Sequence, residues 1–396
     1  MAVSAMSASF RIQTLNNISV RGLECLPRER YEIASEIGMP DAIMLRSADM
    51  HSMTIPDSVL AVARAGAGVN NVPVPALSKR GVPVFNAPGA NANAVKELVI
   101  AAMFLAARNI CQSWAFARSL SGDDKAIDEA TEKGKKNFVG FELPGRTLGV
   151  VGLGAIGVEV ANCAERLGMK VLGYDPQITV QRAWQLSSSV EQALSLDDLF
   201  SRCDMVTVHV PLMDITRGLV NEARLKLMRK DGVVLNFSRA PIVDDVAVIA
   251  ALNSGRLHAY VCDFPKNALK DHPKIITLPH LGASTGEAEE NCAIMVADTL
   301  RDFLENGNVR NCVNFPEAIL PRTQGTSRIA VANSNVPNMV GQISTALAAA
   351  KLNIAELLNK SRGEYAYTLI DAEGAVDLGI VQKIRAIDGV LSARMI

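Results

Sequence analysis

The chain has 396 residues, more than a single hydrophobic core usually serves, so two or three domains are expected. Hydrophobic residues make up 49% and charged residues 20%, which is typical of a globular protein, and the net charge is −1. Without a cluster of positive charge, binding to nucleic acid or to an anionic membrane is excluded. No uncharged apolar run reaches the roughly 18 residues that would indicate a membrane span.

The seven cysteines and the N-terminal sequence indicate the cellular compartment of the protein. The cysteines are scattered and lack CxxC spacing, which predicts neither a disulfide framework nor a metal site and is typical of a reducing cytosol. The opening "MAVSAMSASF" lacks the apolar stretch of a signal peptide, and although it is serine-rich like a transit peptide, "FRIQTLNNI" already predicts a first strand. We therefore expect a cytoplasmic protein.

The first third of the chain alternates strands and helices. The strand-like runs are "FRIQTLNN", "DAIMLRS", "VLAVARAGAGVNN" and "VPVFNAP", and together they predict a small parallel sheet. Next, "ANANAVKELVIAAMFLAARN" has apolar residues at helical spacing and predicts a long buried helix. Residues 119–146 are polar and predict a loop with one surface helix.

From Thr147 to His280 the alternation becomes regular. Six near-continuous apolar runs indicate strands buried on both faces, as in a doubly wound dinucleotide-binding domain: "TLGVVGLG", "KVLGYD", "MVTVHVP", "GVVLNFS", "AYVCDF" and "IITLPH". An amphipathic helix ending near Gly307 and a proline-bearing linker follow. The tail from Arg328 to Ile396 has the order βαββαβ, which predicts a ferredoxin-like unit.

The most specific local motif is "TLGVVGLGAIG". Gly152, Gly154 and Gly157 form G-x-G-x-x-G between a strand and a helix: the first permits a tight turn, the second a close approach to a pyrophosphate, and the third close helix–strand packing. The amides of Ala155 and Ile156 at the helix N-terminus would then bind phosphate oxygens.

Asp175 ends the next strand, about 20 residues after the glycines. A carboxylate there accepts hydrogen bonds from the ribose hydroxyls and repels a 2′-phosphate, which favours NAD over NADP. The alternative is a glycine turn followed by a solvent-exposed aspartate.

His280 raises a separate question, because it follows the short apolar strand in "KIITLPHLGAST". A lone histidine beside such a strand is more often a hydrogen-bonded structural residue than a proton carrier. Histidine nevertheless titrates near neutral pH, which suits a general acid or base.

Taken together, "AGAGVNNV", "VFNAPGANANAVKELV", "VGLGAIG", "HVPL", "NFSRAPIVDD" and "LPHLGAST" resemble the D-2-hydroxyacid dehydrogenase family over residues ~10–315. The tail, 326–396, resembles an ACT domain. The resemblance implies a Rossmann-type NAD domain at 89–281. It would be inserted in a flavodoxin-like α/β substrate domain made of 1–88 and 282–320, with the active site between the two.

The resemblance also implies roles for individual residues. His280 would be the acid/base and Arg239 would hold the substrate's carboxylate and carbonyl oxygens. The substrate, a phosphorylated 2-hydroxy acid, would be bound further by the amides of Ala67 and Gly68 and at its phosphate end by Arg46 and Ser47. The remaining cofactor contacts would be His209, Val210, Pro211, Ser238 and Asp263.

One position departs from the family pattern. Relatives carry a glutamate that pairs with the catalytic histidine, and an ungapped count from Arg239 places Ala268 there. Three alternatives stay open: Asp271 orients His280, another group does, or the imidazole works unpaired.

For the ACT-like tail, the resemblance places an amino-acid effector, with serine expected, at Asn333, Asn335 and Asn353. The tail could instead mediate only oligomer contacts, and a homodimer or homotetramer is expected. Two alternative functions also stay open: a dehydrogenase for glycerate/hydroxypyruvate, lactate or another 2-hydroxy acid, or an NAD-binding regulator of another protein.

Overall fold

Residues 9–396 are described by the computed structural model, and they form two units, one of 9–91 with 286–396 and one of 92–285. Residues 1–8, which hold most of the serine-rich opening, lie outside the described residues. Within 9–396, no helix combines the length and apolar character that crossing a bilayer requires. Each of the seven cysteines is unpaired.

The first unit begins with a five-stranded parallel sheet in the order β2-β1-β3-β4-β5, the flavodoxin-like order. Its elements are β1 (Phe10–Leu15), α1 (Val20–Leu23), β2 (Tyr31–Ala34), β3 (Ala42–Leu45), β4 (Ala61–Arg64), α2 (Val74–Lys79) and β5 (Val84–Phe85). The sequence patterns missed β2 because it is a short edge strand with an exposed Glu32 in its four residues.

The second unit contains a seven-stranded parallel sheet with helices on both faces. Its elements are α3 (Ala92–Ala107), α4 (Ile110–Ser119), α5 (Asp124–Gly134), β6 (Thr147–Val151), α6 (Ala155–Arg166), β7 (Lys170–Tyr174), α7 (Val180–Gln185), β8 (Glu191–Gln192), α8 (Leu196–Arg202), β9 (Met205–Val208), α9 (Glu222–Leu227), β10 (Gly232–Asn236), α10 (Asp245–Asn253), β11 (Leu257–Cys262) and β12 (Ile275–Thr277), with 3₁₀ turns at Lys135–Phe138 and Ala240–Ile242.

The strand order β12-β11-β10-β9-β6-β7-β8 has β6 beside both β7 and β9. The winding therefore reverses between β6 and β9, and the crevice at their carboxyl ends is where open α/β sheets bind ligands. All six predicted strands are present; β8 was missed because its two residues are exposed. Both faces of the sheet are covered: Val150 packs in one apolar cluster and Val151 in another, which accounts for the continuous apolar runs.

The first unit resumes with α11 (Gly286–Asn306) and an antiparallel sheet in the order β14-β15-β13-β16. The elements are β13 (Thr326–Ser334), α12 (Met339–Ala349), β14 (Ile354–Arg362), β15 (Tyr365–Glu373), α13 (Leu378–Arg385) and β16 (Val390–Met395). This is the βαββαβ arrangement that the sequence pattern predicts.

The antiparallel sheet shares a core with the first sheet, although the sequence indicated a separate third domain. Phe85 of β5, Phe303 of α11 and Tyr367 of β15 belong to one apolar cluster. Arg328 of β13 forms a fully buried ion pair with Asp371 of the neighbouring β15, with N–O distances of 2.6 and 2.7 Å, and also donates to the carbonyl of Asn306 at the end of α11 (3.1 Å). The tail therefore belongs to the first unit, whereas the domain boundaries drawn from the sequence stay predictions.

Candidate active site

The glycine turn between β6 and α6 shows why each glycine is needed. Gly152 has φ +91°, and a Cβ there would lie 2.7 Å from the carbonyl oxygen of His209. A Cβ on Gly157 would lie 1.9 Å from the carbonyl oxygen of Gly152. By contrast, a Cβ on Gly154 would meet no atom of residues 9–396 within 4 Å, so these residues leave open space over this glycine. That space is where a pyrophosphate can approach the backbone.

Two features of this turn fit a dinucleotide. The amides of Ala155 and Ile156 are in the first turn of α6, where N–H groups have no acceptor within the helix. Asp175 follows β7, and its carboxylate accepts hydrogen bonds from the amides of Leu153 and Gln177, each at 2.9 Å. Asp175 is thus fixed beside the glycine turn, with lone pairs still available for ribose hydroxyls.

The loop after β9 borders the same crevice. The amide of His209 donates to the carbonyl of Val151 (2.7 Å), and its Nε2 lies 3.0 Å from the hydroxyl of Thr207. Its Nδ1 is buried without a hydrogen-bond partner among residues 9–396. Burial lowers the pKa of His209 to about 4, so the ring is neutral at physiological pH.

Hydrogen bonds of three further predicted cofactor contacts, Ser238, Val210 and Pro211, hold this loop in place. The hydroxyl of Ser238, after β10, donates to the carbonyl of Val210. The carbonyl of Pro211 accepts from the hydroxyl of Thr216 at 2.6 Å. The loops that follow β9 and β10 are therefore tied together at the carboxyl edge of the sheet.

Arg239 is positioned by a residue that sequence reasoning missed. Asn236, fully buried at the end of β10, donates to the carbonyl of Arg239 (3.0 Å) and accepts from the amide of Ser238 (3.1 Å). Arg239 itself is only half-buried, and its guanidinium donates to the carbonyl of Ser238. The available signal was a polar residue closing the apolar strand "GVVLN".

His280 and Asp263 come together at the ends of β11 and β12. The amide of His280 donates to the carbonyl of Asp263 (3.1 Å), and its ring packs edge-on against Phe264 at 5.3 Å. The backbone of His280 is left-handed, with φ +52°, a conformation in which histidine is enriched. The ring is exposed, so His280 does not fill space in the core.

Asp263 is the carboxylate at the centre of this group. Its side chain is 1% exposed and accepts a hydrogen bond from the amide of Gly282, while Oδ1 has no partner among the described residues. Burial raises the pKa of Asp263 above its ordinary value, and the nearby positive charges of His280 and Arg239 oppose that rise. The orphaned Oδ1 fits a donor such as the carboxamide of a nicotinamide.

The loop after Asp263 shows what stands at the position of the family glutamate. Ala268 is exposed and carries no polar group. The carboxylate of Asp271 is also exposed, and it pairs with Lys270 at 2.7 Å instead of with His280. This arrangement disfavours Asp271, and the carboxylate of Asp263 is near enough to His280 to interact with it electrostatically. Which group orients His280 stays a prediction.

In the first unit, the loop after β4 presents unused backbone donors. The amides of Ala67 and Gly68 donate to no acceptor within the described chain. Two hydrogen bonds fix the backbone of this loop. Asn86 donates to the carbonyl of Ala67 (2.6 Å), and the amide of Ala87 donates to the carbonyl of Gly66 (3.0 Å). Two adjacent free amides suit the oxygens of a carboxylate.

Two arginines lie beside this loop, of which the sequence analysis named one. Arg46 follows β3 and pairs with Glu289 of α11 at 2.6 Å. Arg64, at the end of β4, donates from Nε to the carbonyl of Arg46 and to Asn71, each at 3.1 Å. Arg64 was missed because it reads as the end of the strand "AVAR". Ser47 is exposed.

The structure separates the three predicted effector residues. Asn333 is buried and pairs in register with Ala366 at the start of β15, with Asn335 just beyond. Asn353 lies at the other end of β15, where its carbonyl accepts from the amide of Glu373. Within one chain the three residues therefore do not form a single site, and their role in binding an effector stays a prediction. They lie apart because α12 carries the chain along the sheet before Asn353.

The chain is similar to known proteins over most of its length. The family described as D-isomer specific 2-hydroxyacid dehydrogenase, NAD binding domain, matches residues 100–282. A D-3-phosphoglycerate dehydrogenase of Haemophilus influenzae is 32% identical over 83% of this chain and 79% of its own length. One of Archaeoglobus fulgidus is 35% identical over 72% of this chain, and the match spans about half (54%) of that relative.

Among solved structures, the NAD⁺-bound 3-phosphoglycerate dehydrogenase of Entamoeba histolytica is 25% identical, with a TM-score of 0.59 over 78% of this chain and 99% of that one. The chain belongs to the D-2-hydroxyacid dehydrogenase family and is an NAD-dependent oxidoreductase. Within that family, it is similar to the D-3-phosphoglycerate dehydrogenases. The family and cofactor predicted from the sequence are confirmed.

Proposed function

We propose that the protein catalyses the NAD-dependent oxidation of D-3-phosphoglycerate to 3-phosphohydroxypyruvate, the first step of serine biosynthesis. The observation that carries the proposal is the group of His280, Asp263 and Arg239 at the carboxyl edge of the sheet that bears the glycine turn. The relatives named above support the choice of substrate.

His280 acts as the general base in this proposal. When bound, NAD accepts the hydride from C2 of the substrate. His280, exposed and held by its own backbone bond to Asp263, takes the hydroxyl proton. The positive charge that develops on its imidazole is stabilised by the nearby Asp263 carboxylate. Arg239 binds the carboxylate and the developing carbonyl through its planar fork.

His209 does not compete for this role. Burial lowers the pKa of His209 to about 4, so its neutral ring is a weak base and does not take up a second proton near neutral pH. Its ring instead forms part of the cofactor crevice, where Nδ1 lacks a partner within residues 9–396.

Substrate selection rests on residues of the first unit, the loop after β4 together with Arg46 and Ser47, which we call the substrate half-site. The free amides of Ala67 and Gly68 bind the substrate carboxylate, and Arg46 with Ser47 binds the phosphate end. The Arg46–Glu289 pair bears on this directly, because a phosphate must compete with Glu289 for the guanidinium. Since Glu289 is half exposed, its attraction is weak and a dianionic phosphate can displace it.

The same ion pair favours a second candidate function. If Glu289 already neutralises Arg46, the site would suit a substrate whose end opposite the carboxylate is uncharged, such as glycerate/hydroxypyruvate, lactate or another 2-hydroxy acid. A regulator that binds NAD and a partner protein, without turnover, is the third possibility. The intact set of Arg239, His280 and Asp263 argues against it.

The tail and the assembly complete the proposal. The βαββαβ unit is proposed to be an ACT domain that binds serine or mediates contacts in a homodimer or homotetramer, and the protein is proposed to be cytoplasmic. Because the three asparagines do not meet within one chain, an effector held by all of them would need residues of a second chain.

The test is steady-state NADH oxidation with 3-phosphohydroxypyruvate and, separately, with hydroxypyruvate. Wild type is expected to prefer the phosphorylated substrate in kcat/KM. Replacing Arg46 by alanine should remove most of that preference, while Arg362→Ala, at an exposed arginine on β14, should leave it unchanged. Equal kcat/KM for the two substrates in wild type would overturn the phosphoglycerate assignment and leave the second candidate.

A further inference from the structure

A cavity of about 430 Å³ lies within the first unit, between its parallel and antiparallel sheets. From the parallel side it is lined by Val59 and Leu60, just before β4, and by Arg80, after α2. From the antiparallel side it is lined by Arg385 of α13 and by β16. The volume is that of a small-molecule site.

The cavity is distinct from the half-site that binds the substrate. Val59 and Leu60 precede β4, whereas Ala67 and Gly68 follow it. The cavity therefore lies at the amino edge of the parallel sheet, and the predicted substrate loop at its carboxyl edge. Four strand residues, about 13 Å, separate the two edges.

The charged side chains that line the cavity are mostly positive. Three arginines, Arg80, Arg385 and Arg394, face one carboxylate, Asp57, so the charged side chains sum to +2. Asp57 pairs with Arg80 at 3.3 Å, and its own side chain is fully exposed. Within residues 9–396, Arg385 and Arg394 have no carboxylate partner. A cavity with unpaired guanidinium groups attracts an anion.

Arg394 is fixed in place before any ligand arrives. Its guanidinium stacks on the ring of Phe303 at 4.3 Å and donates to the carbonyls of Phe303 and Leu304. Burial lowers the pKa of Arg394, which shows that its charge is poorly compensated there. Arg385 is anchored by Nε, which donates to the carbonyl of Ala393 at 2.7 Å.

The walls are held together by a direct link between the sheets. The hydroxyl of Ser392 on β16 donates to the carbonyl of Gly81 at 3.0 Å. Gly81 has φ +69°, and a Cβ there would lie 2.6 Å from the Ser392 hydroxyl, so the contact requires glycine. Specific contacts therefore fix the shape of the cavity, which has apolar walls between its cationic groups.

We propose that this cavity binds a small organic dianion, a phosphate ester or a dicarboxylate, separately from the substrate. Guanidinium groups bind both kinds of oxyanion through paired N–H donors, so the shared chemistry is two negative charges on a compact carbon skeleton. The apolar wall formed by Val59 and Leu60 favours an organic anion over a bare inorganic ion.

Isothermal titration calorimetry on the full chain tests the proposal with glycerol 2-phosphate and with succinate, at ionic strength matched with potassium chloride. Wild type is expected to bind at least one of them, and the tighter probe identifies the class. Arg385→Ala should weaken that binding at least about tenfold, the loss expected for a charge-assisted hydrogen bond. Because Arg385 is exposed, the variant should keep its melting temperature.

Two control variants locate the site. Arg362→Ala removes an exposed arginine at the end of β14, one that also donates to a backbone carbonyl, and should bind like wild type. Arg46→Ala alters the substrate half-site and should also bind like wild type. The proposal is overturned if wild type binds neither probe. It is also overturned if Arg46→Ala abolishes binding while Arg385→Ala leaves it intact.

Discussion

Replacing Gly154 by alanine is expected to weaken NAD binding without destabilising the fold. A Cβ on Gly154 meets no atom of the described residues within 4 Å, and its φ of −73° is one that alanine adopts freely. The methyl group therefore strains nothing in the protein and reduces the entropy of the unfolded chain, so the melting temperature should stay constant or rise slightly. The same methyl group occupies the space that the pyrophosphate needs.

The magnitude follows from the hydrogen bonds at stake. Displacing the pyrophosphate from the amides of Ala155 or Ile156 loses at least one hydrogen bond to a charged group, about 1.5–3 kcal/mol. The dissociation constant for NADH should then rise roughly 10- to 100-fold. Gly157→Ala differs, because its Cβ would lie 1.9 Å from the carbonyl oxygen of Gly152. Such overpacking costs about 1–3 kcal/mol of stability as well.

NADH fluorescence titration and thermal unfolding distinguish these two variants. Gly38→Ala is the matched control, because a Cβ there also meets nothing within 4 Å and the residue lies outside the glycine turn. An unchanged NADH affinity in Gly154→Ala would refute the placement of the pyrophosphate over this glycine. A large fall in its melting temperature would refute the claim that the space is open.

Three further outcomes are expected. Asp371→Asn should lose about 3–5 kcal/mol of unfolding free energy at neutral pH, because it leaves the buried Arg328 unpaired. Burial alone would raise the pKa of Asp371, but Arg328 lowers it below 3.8. Urea titrations should therefore show the stability difference between wild type and variant shrinking as pH falls through that folded-state pKa. Asp263→Asn should lower kcat at least about tenfold, yet keep or gain stability at neutral pH. Burial raises the pKa of Asp263 above 3.8, so its ionised form destabilises the fold increasingly as pH rises through that range. A large stability loss in urea titrations would contradict this expectation. His209→Gln should keep the pH profile of kcat/KM near neutrality, because burial already holds the pKa of His209 at about 4.

Much of the fold could be predicted because its signals are local. Apolar runs such as "GVVLN" and "AYVC" indicate strands buried on both faces, and the three glycines with Asp175 mark the cofactor turn within about 20 residues of sequence. The short edge strands β2 and β8 were missed, since two to four half-polar residues give no periodic signal.

The site was only partly predictable, because its contacts join distant segments. Nothing local to Asp263 indicates that its carboxylate lies within electrostatic reach of both His280 and Arg239, or that Asp271 pairs with Lys270. Asn236 and Arg64 act through the backbone of Arg239 and Arg46, which no residue pattern reveals. Likewise, the separation of Asn353 from Asn333 depends on how α12 crosses the antiparallel sheet.

The most direct measurement is the NADH-linked reduction of 3-phosphohydroxypyruvate by wild type and by His280→Ala, followed through neutral pH, with NADH affinity measured in parallel. We expect the variant to lose about 10²-fold or more in kcat, to keep its affinity for NADH, and to lose the pH dependence that the imidazole confers. A variant that reduced the substrate as fast as wild type would contradict the account, because His280 would then carry no proton.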